Sequence, residues 1–173
     1  MATEAPGVSG AKQQFLDAFE HEHATTMRVL RAYPADRAEL RPHPKARSAR
    51  ELAWIFVMEM GLLEKALTTG FDWSKPPSAP PPAPESLGAI ITTFDQAYGR
   101  VADELRGMAE DALFGTVQFP TGPNQIGAWS KIQFMWYVLC DQIHHRGQFS
   151  VYLRMAGGKV PSIYGPSGDE PYF

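Results

Sequence analysis

The 173-residue chain has a single cysteine, no excess of basic residues and no long apolar run. Because Cys140 is alone, the chain cannot form an internal disulfide or a cysteine cluster for structural zinc. The net charge of −3 argues against a nucleic-acid-binding surface. No uncharged stretch approaches the roughly 20 residues of a membrane span, and residues 1–10 lack an apolar signal segment. We therefore expect a cytoplasmic protein with no nucleic-acid partner and no membrane partner.

The common catalytic signatures are also missing. The chain contains no phosphate-binding loop, no Rossmann glycine pattern and no Ser-His-Asp arrangement. Its length suits one domain spanning 1–173. Within it, we expect residues 1–10 to be flexible and the proline- and glycine-rich segment 158–173 to be an irregular tail that packs back on the core.

Apolar residues recur at three- and four-residue spacing in four segments, which predicts four helices: Lys12–Tyr33, Ser48–Thr69, Glu85–Met108 and Ala128–Met155. Ser48 and Glu51 form a capping-box pattern at the start of the second helix. The connection from Lys75 to Pro84 holds six prolines in ten positions, and 114–125 is predicted to be a loop with a scrap of strand. The expected fold is all-α, a four-helix bundle with long proline-rich connections.

The fourth predicted helix carries polar residues within an otherwise apolar sequence, from Asp141 to Gln148. Asp141 and His145 are four residues apart, so they share one face of a helix, where two side chains can share a metal or a proton. Glu59 interrupts the apolar stripe of the second helix. Cys140, beside this cluster on a long apolar helix, is predicted to be buried and inert.

Three segments resemble the DinB family: His144 to Gln148, Lys159 to Pro166, and Ser48 to Trp54. The resemblance covers nearly the whole chain. It implies a four-helix bundle of the DinB/YfiT type, often dimeric, with a divalent metal held by three histidines. It also implies a range of activities, because some members transfer thiols such as bacillithiol, mycothiol or glutathione, and others isomerise maleylpyruvate.

The ligand positions of the family can be matched to this chain one by one. The histidine of the second helix corresponds to Ile55, with Glu59 four residues later. The His-x-x-x-His pair corresponds to Asp141 and His145. Two of the three histidines are therefore replaced, and an isoleucine side chain cannot bind a metal.

Three interpretations of this cluster follow. Asp141, His145 and Glu59 hold zinc, nickel, manganese or iron; or they form a metal-free polar network; or the pocket is an apolar ligand-binding cleft. The first makes the protein a metal-dependent transferase or hydrolase acting on a small molecule or thiol, with Glu59 and His145 as catalytic residues. The alternative is a non-catalytic bundle that binds a small apolar ligand or acts as a dimeric interaction module. A homodimer is expected in either case.

Overall fold

The computed structural model describes residues 10–74 and 79–172. The prediction of flexibility for residues 1–10 therefore falls almost wholly outside the described residues, as does part of the proline-rich connection. The described chain forms four long helices and one β-hairpin: α1 (Ala11–Arg31), α2 (Ala49–Leu67), α3 (Leu87–Gly107), β1 (Thr116–Gly122), β2 (Gln125–Ser130) and α4 (Lys131–Met155). The mainly α-helical fold class is confirmed.

The helix starts follow from side-chain caps. The Ser48 hydroxyl accepts a hydrogen bond from the Glu51 backbone N–H, and the Glu51 carboxylate accepts one from the Ser48 N–H, which is the predicted capping box. Ser130 and Gln133 form a second capping box at the start of α4. After α2, the N–H of Gly70 donates to the carbonyl of Lys65, and Gly70 has a φ of 72°. That left-handed conformation favours glycine and ends the helix.

The prediction that α4 begins at Ala128 is wrong. Residues Ala128–Ser130 belong to β2, which pairs antiparallel with β1 so that Val117 lies opposite Trp129 and Phe119 opposite Gly127. The hairpin packs on the start of α4 through Phe119 and Phe134, whose ring centroids are 4.6 Å apart. The apolar residues Ala128 and Trp129 belong to the strand, and Ser130 is the cap at which α4 begins.

Helices α3 and α4 each pack against both α1 and α2, so α1 and α2 take opposite corners of the bundle. The core between them is apolar and contains fully buried phenylalanines from all four helices, among them Phe15, Phe56, Phe94 and Phe149. The contact between α2 and α4 brings together the two helices on which polar residues interrupt the apolar pattern. No helix within the described residues is long and apolar enough to cross a membrane.

Candidate metal centre

Three side chains from two helices meet between α2 and α4. Glu59 lies in the middle of α2 and is 4 % exposed. Asp141 and His145 lie one turn apart on α4, as their spacing predicts. His145 is largely buried, whereas the side chain of Asp141 is 44 % exposed. The cluster therefore has a buried floor at Glu59 and an open edge at Asp141.

The distances within the cluster suit a shared ligand. The Nε2 atom of His145 lies 3.5 Å from Oε1 of Glu59 and 3.6 Å from Oδ2 of Asp141. One ligand atom from each of the three residues lies within 4.8 Å of the other two. Ligand bonds to a metal such as zinc are about 2.0–2.2 Å long for nitrogen and carboxylate oxygen, so atoms this far apart can surround one ion.

Burial makes the ionised form of Glu59 costly. Desolvation raises its pKa from 4.5 to about 9, helped by the negative charge of Asp141 and by a hydrogen bond that the protonated acid can share with Asp141. As a carboxylate, Glu59 has two buried oxygens that accept no hydrogen bond within the described residues. A buried, ionised carboxylate needs a cation or a set of donors, and among the described residues the His145 imidazole, 3.5 Å away, is the group placed to serve if it is protonated.

Gln148 supports the imidazole of His145 from the other side. The Nε2 atom of the Gln148 amide lies 2.8 Å from Nε2 of His144. The Oε1 atom of the same amide lies 3.4 Å from Nδ1 of His145. With the amide in this orientation, Nδ1 of His145 carries the hydrogen, and the Nε2 lone pair points towards the two carboxylates. An outer hydrogen bond of this type fixes the tautomer of a metal-binding histidine. This role of Gln148 was not predicted from the sequence, although its spacing of three from His145 was the available signal.

Ile55 lies one turn before Glu59 on α2 and is buried. It has no ligand atom, so the described cluster draws its only α2 donor from Glu59. A separate groove of about 680 Å³ lies between α2 and α3, and none of its lining residues belongs to the cluster.

Three other polar or reactive residues lie outside the cluster of Glu59, Asp141 and His145. Arg146 is 1 % exposed and joins α4 to α1 through a 2.6 Å ion pair with Glu22, while it also donates to the hydroxyl of Tyr164 in the C-terminal tail. His23 stacks on Tyr98 between α1 and α3, and burial lowers its pKa to about 4. The prediction that Cys140 is buried is wrong, because this residue is exposed on the outer side of α4.

A family model for the DinB family matches residues 1–171. The chain belongs to the DinB family. Its sequence is 25 % identical to YrdA of Bacillus subtilis (strain 168) over 162 residues, which cover 90 % of this chain and 89 % of that protein.

Two solved DinB-like structures share the fold. The protein from Bacillus cereus ATCC 10987 has a TM-score of 0.74 and 21 % identity, and the match covers 88 % of this chain and 97 % of that one. YjoA of Bacillus subtilis has a TM-score of 0.65 and 14 % identity, covering 86 % of this chain and 96 % of that one. At these identities the likeness shows the DinB fold alone.

Proposed function

We propose that this DinB-family protein binds a divalent metal through Glu59, Asp141 and His145 and uses it in a transfer or hydrolysis reaction. The observation that supports this proposal best is the burial of the Glu59 carboxyl group without a hydrogen-bond partner among the described residues. Its two buried oxygens have no hydrogen-bond partner within residues 10–74 and 79–172, yet they lie beside an imidazole nitrogen and a second carboxylate. A divalent cation satisfies all three groups at once and offsets the charge of both acids.

The donor set narrows the choice of metal. One imidazole and two carboxylates suit zinc, nickel, manganese or iron, whereas metals that prefer thiolate are disfavoured because no cysteine joins the described cluster. When bound, the ion would supply positive charge that lowers the pKa of a water or thiol nucleophile. The family resemblance makes thiol transfer the first reaction to test, with a low-molecular-weight thiol or another small molecule as substrate.

The protein side chains have distinct tasks in this proposal. Gln148 holds the His145 ring so that Nε2 faces the ligand position, and Asp141 at the open edge leaves a path for substrate from solvent. Glu59 lies on the closed side. If Glu59 is not itself a ligand, its carboxylate is placed to take a proton, because burial favours its protonated form.

The raised pKa of Glu59 also favours a second candidate. A neutral Glu59 can donate a hydrogen bond to Asp141 without any metal, which gives a closed polar network. In that case the protein is a non-catalytic bundle that binds a small apolar ligand or acts as a dimeric interaction module.

Metal content separates the two candidates. Protein made without a histidine tag or added metal should contain about one zinc, nickel, manganese or iron ion per chain by elemental analysis. Glu59→Gln and His145→Ala should lose it. The matched controls Glu64→Gln, on the same helix, and His21→Ala, on the exposed side of α1, should keep it. If the parent protein contains no metal and takes up none on titration, the metal-free candidate is correct.

A further inference from the structure

Two aromatic side chains border the open edge of the cluster of Glu59, Asp141 and His145. Tyr137 lies four residues before Asp141 on α4, so the two side chains are neighbours on one face of the helix, with Cβ atoms about 5–6 Å apart. Tyr137 is 48 % exposed. The half-buried Trp129 of β2 contacts it, with ring centroids 5.3 Å apart. The hairpin therefore adds an aromatic wall beside the carboxylate that is open to solvent.

Helix α2 supplies an apolar residue to the same side of the cluster. The end of α2 lies beside the start of α4, because Nζ of Lys131 donates a 2.8 Å hydrogen bond to the carbonyl of Leu67. Residues that follow Glu59 on α2 therefore lie towards the hairpin, as do residues that precede the acid on α4. Leu62, three residues after Glu59, is partly buried and adjacent to it on the helix surface. The hairpin side of the cluster is thus apolar on α2 and aromatic on α4.

The charges around the cluster narrow the chemistry of a ligand on this side. Ile55–Leu63 of α2 contains no lysine or arginine, and the one arginine of Tyr137–Gln148 on α4 is Arg146, which is buried and paired with Glu22. A phosphate or a polycarboxylate would find no free cation on these two segments. With a divalent metal bound, the charges of the ion and of the two carboxylates sum to zero, so an organic cation would find no net negative charge. An uncharged ligand fits best.

We infer that Tyr137 and Trp129 bind an uncharged aromatic ring of the reactant whose polar end reaches the metal position. The inference rests on the proposed function, because the ion would hold that polar end. Aromatic side chains bind a ring by offset stacking or edge contacts, which aliphatic chains do not match. One helical turn, about 5.4 Å, separates Tyr137 from Asp141. The reactant class is therefore a compound whose ring is attached directly to its metal-binding group.

Trp136 provides a matched control on the same helix. It is 38 % exposed, similar to its neighbour Tyr137. Its position lies about 100° further round the helix, and its ring packs edge-on against Phe15 of α1, with centroids 5.2 Å apart. The loss of Trp136 should therefore leave the ring site intact.

Two hydroxamates test the ring site in the zinc-loaded protein. Benzohydroxamate and acetohydroxamate share one zinc-binding group and differ in carrying a phenyl ring or a methyl group. Titration calorimetry of the parent should show a preference for benzohydroxamate of about tenfold, because the ring is removed from water against aromatic neighbours. Tyr137→Ala should reduce this preference to about threefold or less. Trp136→Ala should keep it, and the affinity for acetohydroxamate should be equal in all three proteins.

Two further variants separate the ring site from a folding defect. Tyr137→Phe keeps the ring and should bind benzohydroxamate as the parent does. Trp129→Leu keeps an apolar side chain without an aromatic face, so it should lower the preference while leaving acetohydroxamate binding unchanged.

A second titration needs no metal and therefore separates this inference from the proposed function. With a chelator present, 2-naphthol should bind the parent and Trp136→Ala at least about threefold more tightly than Tyr137→Ala. Decahydro-2-naphthol, which has the same carbon frame without aromatic rings, should bind the parent more weakly than 2-naphthol. A parent that takes up no zinc but passes this titration would contradict the proposed function and support the ring site.

Three results would overturn the inference. The first is an equal hydroxamate preference in zinc-loaded parent and Tyr137→Ala, which would leave the metal proposal standing. The second is equal binding of 2-naphthol to metal-free parent and Tyr137→Ala. The third is tighter binding of phenyltrimethylammonium than of 2-naphthol to the zinc-loaded parent, which would show that the site takes organic cations.

Discussion

The protonation of Glu59 should dominate the pH dependence of stability in the metal-free protein. In the unfolded chain this acid ionises near 4.5, whereas in the folded protein burial holds its pKa at about 9. Between those values the folded state keeps a proton that the unfolded state has lost. The free energy of unfolding therefore falls as pH rises through this window, by about 1.4 kcal/mol for each pH unit.

From pH 5 to pH 8 this amounts to about 4 kcal/mol, which is a large share of the roughly 5–15 kcal/mol that stabilises a typical domain. Glu59→Gln removes the titrating group and keeps the size of the side chain. Its unfolding free energy should therefore lose this downward slope. His23 contributes in the opposite sense, because its pKa is lowered to about 4, so the stability it gives is lost as pH falls below 6.5. That contribution is common to both proteins and cancels in their difference.

The assay is urea unfolding with a chelator at pH 5, 6.5 and 8, followed by circular dichroism. The difference between parent and Glu59→Gln should change by about 4 kcal/mol across this range. Equal slopes for the two proteins would refute the assignment of a raised pKa to Glu59. Adding zinc at pH 8 should then stabilise the parent, by about 2.7 kcal/mol at one hundred times the dissociation constant, and should leave Glu59→Gln unchanged.

Three further predictions concern the same helices. The double change Ile55→His and Asp141→His creates a three-histidine set and should shift metal preference from manganese towards zinc and nickel. Competitive titration measures this preference, and an unchanged order of affinities would contradict the assigned ligand positions. Gln148→Leu should weaken zinc binding by about 10- to 100-fold and Gln148→Glu should preserve it, because His145 needs a hydrogen-bond acceptor at Nδ1. Equal zinc affinities of the parent and Gln148→Leu would show that Gln148 does not support the metal ligand. Arg146→Ala should lower the free energy of unfolding by about 3–5 kcal/mol, since Glu22 would be left without its buried partner. The double variant Arg146→Ala with Glu22→Ala should recover part of that loss. Additive losses in urea unfolding would show that the pair is not coupled.

Helix positions could be predicted from the sequence because local signals agree with the fold. The apolar spacing in α2 and the Ser48–Glu51 capping box lie within a few residues of each other, and the structure keeps both. The hairpin could not be predicted to the same extent. β2 is a strand because it pairs with β1 and packs against α4, and neither contact is local. The Ser130–Gln133 capping box was present in the sequence and would have placed the start of α4 correctly.

The three members of the cluster could be predicted from the sequence, whereas their protonation could not. Spacing alone puts Asp141 and His145 on one face, and Glu59 is conspicuous in an apolar stripe. Their convergence depends on the packing of α2 against α4, which the family resemblance supplied. The high pKa of Glu59 and the hydrogen bonds of Gln148 depend on burial depth and side-chain rotamer. A sequence pattern does not encode either of these.

The error at Cys140 has a physical cause. Sequence periodicity tells the inside of a helix from its outside only when one side is polar. Close to Cys140, helix α4 has apolar residues on its exposed side as well as on its buried side, so a cysteine at this position is predicted to be buried whichever way it points. In the folded chain Cys140 is exposed together with Tyr137 and Val151. Which side of α4 faces the core is therefore decided by packing against the other helices, and the spacing of apolar residues in the sequence does not reveal it at this position.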